Sequence, residues 1–119
     1  MSELKPEFDF SAFRDAFERK DTHRWVQFYA NDVEWIEYKP SAPPRDPLRM
    51  VGRNRITEFI VALERRDIKI SLSNEVLGRE RAAFSVHVTL PDGKRVYKHT
   101  IIQIEEGKIA RQVDVEAWD

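Results

Sequence analysis

An α+β domain in which a strongly curved antiparallel sheet wraps a layer of helices is what this sequence predicts, on three observations. Aromatic residues recur at helical spacing near the start of the chain. An aliphatic stripe of the same period follows in the middle. From residue 68 onward the apolar residues alternate with period two, interrupted only by turn signals. A chain of 119 residues is long enough for one hydrophobic core and too short for two, so residues 1–119 are read as a single domain.

The elements follow in order. In "FDFSAFRDAFERKD", Phe10, Phe13 and Phe17 form one stripe, with Asp9 or Ser11 as N-cap, which predicts a helix over about residues 9–20. "THRWVQFYA" predicts a second, shorter helix from Thr22 to Ala30, capped by Asp21 or Thr22. "NDVEWIEYK" then switches to period two and puts Val33, Trp35 and Glu37 on one face of a strand. Four of the six prolines fall in "PSAPPRDP", so residues 40–47 read as an extended loop, either a plain connection or a lid over a concave site. From Gly52 a third helix runs to Asp67 with Ile56, Phe59, Ile60 and Leu63 as its buried stripe. "IKISLSNEVLG", "RAAFSVHVTL", "RVYKHTIIQI" and "IARQVDVEAW", joined at "PDGK" and "EEGK", make a four-stranded meander. A bent sheet closed at one end by three helices from the N-terminal half leaves a concave pocket at the other.

Composition excludes several functions. A net charge of -1 offers no field to draw in nucleic acid or an anionic membrane, and no basic, aromatic-interleaved stripe exists. With no cysteine, thiolate nucleophiles and zinc-thiolate sites are out, and three widely spaced histidines predict no metal centre. The four glycines form no phosphate-binding loop, so no nucleotide cofactor is expected. The polar opening "MSELKPEFD" and the lack of any long apolar run lead to the expectation of a cytoplasmic protein.

The order of elements, together with "FYANDVEWIE", "MVGRNRITEFI" and "GKIARQVDVEAWD", resembles the SnoaL-like and ketosteroid-isomerase-like proteins of the nuclear transport factor 2-like superfamily over roughly residues 9–119. The resemblance implies a cone-shaped α+β barrel with a ligand pocket and a homodimer formed through the convex sheet face. Counting from Tyr29, the isomerases' general base falls at Glu37. Their oxyanion-hole tyrosine falls at Phe13 and its acidic partner near His99 or Thr100, so that donor pair is missing and ketosteroid isomerase proper is rejected. The polyketide cyclases fit the last strand better: their acid/base aspartate falls at Asp114, with Val113 in place of a tryptophan, and their assisting histidine falls close to His99. A one-residue slip decides whether His99 or Thr100 faces the pocket.

The candidate catalytic groups are therefore Asp114, Glu37 and His99, and the candidate pocket lining is Phe13, Phe17, Trp25, Tyr29, Trp35, His87 and Trp118. Two carboxyls in a dry aromatic cup would have raised pKa values and suit cofactor-independent isomerisation, cyclisation or hydration of a small apolar or aromatic metabolite. The competing reading is a pocket that binds without converting, or a module for pairing two copies. Asp114, flanked by Val113 and Val115, could equally face water if the valines are core, and His87 reads as readily as a structural or interface residue.

Overall fold

The computed structural model describes residues 7–119; residues 1–6, most of the polar opening, lie outside them. Helix α1, Phe10–Glu18, starts where the Asp9 carboxylate accepts from the Ala12 amide at 3.0 Å, and it buries Phe13, Ala16 and Phe17. Helix α2, Thr22–Trp25, is capped by Asp21, but it does not reach Ala30 as the spacing suggests. It tightens into a 3-10 turn at Val26–Phe28, and strand β1, Tyr29–Tyr38, begins two residues before the expected strand. Sheet pairing overrides helical periodicity there, because Tyr29 is held opposite Ile109 on the last strand.

Residues 40–47 form a turn-rich connection, with a backbone bridge between Lys39 and Ala42, and deliver the chain into a strand that alternation had not marked, β2, Leu48–Val51. Four residues are too few to show a period, yet they pair antiparallel with β1 from Glu34 to Glu37. Gly52, at φ 90°, makes the switch from β2 into helix α3, Arg53–Glu64, a backbone region that a side chain would strain. Ile56 and Ile60 are fully buried under this helix, and Phe59 and Leu63 are half-buried beside them.

The meander is as expected: β3, Lys69–Leu77; β4, Arg81–Thr89; β5, Arg95–Glu105; and β6, Lys108–Trp118. The six strands make one sheet in the order β2-β1-β6-β5-β4-β3. It is mixed rather than antiparallel throughout, since β1 lies parallel to β6. That pairing brings the first strand against the last, while α3 packs on β1 and β2 and α1 packs on β3. Register shifts in β1, in β3 beside Asn74 (φ 56°) and in β5 bend the sheet around the helical layer without closing it, leaving β2 and β3 as edges. The core inside the bend is dominated by Phe13, Phe17, Trp25, Tyr29, Trp35, Ile56, Ile60, Phe84 and Ile102. Among the described residues no helix is long and apolar enough to cross a membrane.

Candidate functional site

Period-two geometry on three neighbouring strands builds the site. The inward residues are Val33, Trp35 and Glu37 on β1, Gln112, Asp114 and Glu116 on β6, and Val96, Lys98, Thr100 and Ile102 on β5. Register then aligns them. Glu37 is opposite Asp114, which is opposite Thr100, and the next pair along β6 and β5 is Glu116 with Lys98.

Asp114 is fully buried and accepts from four donors: Thr100 Oγ1 at 2.8 Å, Trp35 Nε1 at 3.0 Å, Gln112 Nε2 at 3.2 Å and Lys98 Nζ at 3.4 Å. A carboxylate offers about four lone-pair positions, so these donors saturate it. The network extends behind it: Trp25 Nε1 donates to Tyr29 Oη at 3.2 Å, and Tyr29 Oη donates to Gln112 Oε1 at 2.8 Å. Every link hands a proton donor to the next acceptor and the chain ends on Asp114. Among the described residues, no buried side-chain nitrogen or oxygen lacks a partner.

Glu37 is in a different condition. It is buried, it borders the cavity, and its only ion-pair partner among the described residues is Lys39 Nζ at 3.4 Å. Burial pushes its carboxyl up to about 8; Lys98 opposes that rise, Asp114 and Glu116 reinforce it, and Lys39 opposes it. Burial works against the Lys98 ammonium, yet the charges of Asp114, Glu37 and Glu116 outweigh it and hold Lys98 above the usual lysine range. Tyr29 is driven upward by burial and stays a neutral donor. Glu37, Asp114 and Glu116 each place an oxygen within 4.8 Å of the others, a spacing that metal ligands also adopt. A cation bound there would have to compete with the Lys98 ammonium, which already contacts Asp114.

The cavity in front of these groups has a volume of about 110 Å³. Phe17, Trp25 and Trp35 form its inner wall, Phe59 and Leu63 of α3 one side, and Ile70, Val88 and Val96 the sheet side. Glu37, Lys98 and Glu116 supply the polar groups, and Lys39, Arg66 and Trp118 stand with them among the lining. Trp118 is 46% exposed and donates from Nε1 to Glu116 Oε1 at 3.0 Å. No residue of the 40–47 connection lines the cavity, although Lys39 at its start does. A wider open groove of about 890 Å³ lies at the opposite end, between Phe8, Phe10 and the β3–β4 and β5–β6 hairpins; its polar lining is exposed charge such as Arg79, Glu80 and Glu105.

Several expected site residues fall elsewhere. His99 pairs with Val115 across the strands, and both are exposed on the outer face. The inward position is Thr100, so the register decides against His99, which instead lies 3.5 Å from Ser85 Oγ and edge-on to Tyr97. His87 is on the same outer face, tilted against Tyr97 at 4.7 Å, and lines neither of the two cavities described. Phe13 is behind the wall, stacked on Phe17 with centroids 5.6 Å apart, and Tyr29 lies beneath it, stacked on Trp35. Lys98, Gln112 and Glu116 join the site beyond the expected residues; the alternation Val96, Lys98, Thr100, Ile102 places a lysine on the core face of β5.

A family model described as a SnoaL-like domain matches residues 10–112. The chain belongs to the SnoaL-like domain family. Solved structures share the fold. An NTF2-like protein of unknown function from Mesorhizobium loti superposes with a TM-score of 0.77 at 17% identity, covering 91% of this chain and 87% of that one. A protein from Kribbella flavida provisionally assigned as a ketosteroid isomerase gives 0.73 at 20% identity, covering 92% and 74%. One from Sinorhizobium meliloti provisionally assigned as a polyketide cyclase gives 0.68 at 20% identity, covering 88% and 91%. No curated protein matches the chain. In this chain Glu37 and Asp114 stand opposite each other on neighbouring strands, and Lys98, in contact with Asp114, lowers the pKa of the Glu37 carboxyl through its charge.

Proposed function

We propose that this SnoaL-like domain is a small-molecule acid/base catalyst that needs no cofactor, with Glu37 as the group that takes and returns the proton. One observation carries the reading: of the two carboxyls, Glu37 alone lines the cavity, with Lys39 at 3.4 Å as its one ion-pair partner among the described residues, and burial moves its pKa to about 8. A buried carboxyl near the working pH is a competent proton acceptor and donor. Asp114, with its lone pairs filled by four donors, acts as a positioning residue that fixes Lys98 and keeps it cationic.

The step balances within the substrate. Ionised Glu37 removes a proton from a carbon next to a carbonyl. The C–H electron pair becomes a carbon-carbon double bond and the carbonyl π pair moves onto oxygen. The Lys98 ammonium donates a hydrogen bond to that oxyanion, the role left open by the absence of a tyrosine at Phe13. Protonated Glu37 then returns the proton to the same carbon or to a conjugated one, which shifts the double bond. The apolar walls suit an apolar substrate body and keep bulk water from the carboxyl.

Deuterium wash-in next to the carbonyl, followed by NMR over a panel of small ketones and enones, tests this. The native chain catalyses exchange, and Glu37→Gln lowers the rate by about 100-fold or more. Ligands that bind equally to both proteins with no exchange in either would make the domain a binding module instead. The partner for the convex face in this reading is a second copy of the chain, supported by exposed Ile101 and Val115 on that face.

A further inference from the structure

We infer that the site takes a compact carbonyl compound, a single ring or a short chain of comparable size, and rejects fused multi-ring molecules. This rests on the acid/base reading above and adds the size of the substrate. A cavity of about 110 Å³ is small: benzene occupies an engineered cavity of about 150 Å³, and sites for drug-sized ligands run from about 300 Å³ upward.

The inner wall resists enlargement. Trp35 is tied to Asp114 through its indole N–H at 3.0 Å, stacks on Tyr29 and carries Phe59 edge-on at 5.4 Å. Trp25 is tied to the Tyr29 hydroxyl at 3.2 Å and meets Phe17 at right angles, centroids 4.8 Å apart. Tipping either indole aside would strand a buried donor or acceptor, a cost of about 1–3 kcal/mol for each. A longer molecule would instead have to pass outward by charged Lys39, Arg66 and Glu116, where the half-exposed Trp118 indole, tied to Glu116 at 3.0 Å, is the large apolar group beside them. The lining thus combines a narrow aromatic slot with Lys98 and Glu37 as its most buried donor and acceptor, which match a single oxygen on a small apolar body.

Titration with phenol, 2-naphthol and estradiol tests size directly, because these phenols present an enolate-like oxygen and are not turned over. Indole fluorescence and calorimetry on the native chain are expected to show phenol binding at millimolar concentration or better, 2-naphthol at least tenfold weaker, and no estradiol binding. Phe59→Ala, which trims the α3 side of the slot, is expected to recover 2-naphthol at least tenfold, and the native series stands without it if that variant fails to fold. Tighter binding of 2-naphthol or estradiol than of phenol by the native chain overturns the inference, as does a lack of phenol binding at millimolar concentration. If phenol binds in the predicted order but neither the native chain nor Glu37→Gln catalyses deuterium exchange, the size inference holds and the catalytic reading fails.

Discussion

Asp114 and Glu37 stand opposite each other on parallel strands, yet one accepts from four donors and the other meets a single lysine at 3.4 Å. The difference has a thermodynamic consequence at Glu37. Its folded-state pKa of about 8 lies above the usual 4.5, so between those values the folded chain holds a proton that the unfolded chain has released. Stability attached to Glu37 is therefore complete below about pH 4.5 and is lost as pH rises to about 8, beyond which both states are ionised and the loss stops growing. Glu37→Gln removes that slope. In thermal melts the variant is expected to match the native chain near pH 5 and to exceed it progressively up to about pH 8.5, by a few kcal/mol in order of magnitude. Parallel melting curves across that range would show that Glu37 ionises freely in the fold.

At the scale of the strands, register decides chemistry. A shift of one residue in β5 would exchange Thr100 for His99 at the carboxyl and turn Lys98 outward. Thr100→Val keeps the shape but removes the 2.8 Å bond to Asp114, so chemical denaturation should find it less stable by about 1–3 kcal/mol. His99→Ala, on the outer face, should stay within about 0.5 kcal/mol of the native chain. Equal losses would contradict the register. The sequence makes the elements legible where a period is long enough to count: the aromatic stripe of α1, the aliphatic stripe of α3 and the alternation of the meander all stand where expected. It hides β2, which spans four residues, and the early start of β1, which depends on pairing with a strand about 80 residues away. It offers Glu37 and Asp114 as candidate acids but leaves open which face Asp114 takes, and it cannot show that Asp114 is saturated, because its four donors come from β1, β5 and β6. Lys98 is legible in the pattern, since it shares a face with Val96, Thr100 and Ile102, but alternation alone does not show that its ammonium meets Asp114 across the strands.

The whole molecule has two faces with different work. The concave face spends its inward positions on the cavity and the Asp114 network, and the convex face of the same strands is left with Ile101 and Val115 at 54% and 56% exposure, flanked by half-buried Val113. Burying such a patch against a second copy removes apolar area from water without touching the cavity. Sedimentation should accordingly find the native chain as a dimer and Val115→Asp shifted toward monomer with its cavity intact; a monomeric native chain at micromolar concentration would assign that face no such role. The cavity itself stands or falls on the protonation of one group. Carbon-13 NMR of the side-chain carboxyls, with Glu37→Gln to identify the resonance, measures it directly: the Glu37 signal is expected to titrate near pH 8. A midpoint in the ordinary range of about 4 to 5 would mean that the carboxyl is solvated and charged throughout, and the acid/base account would be wrong.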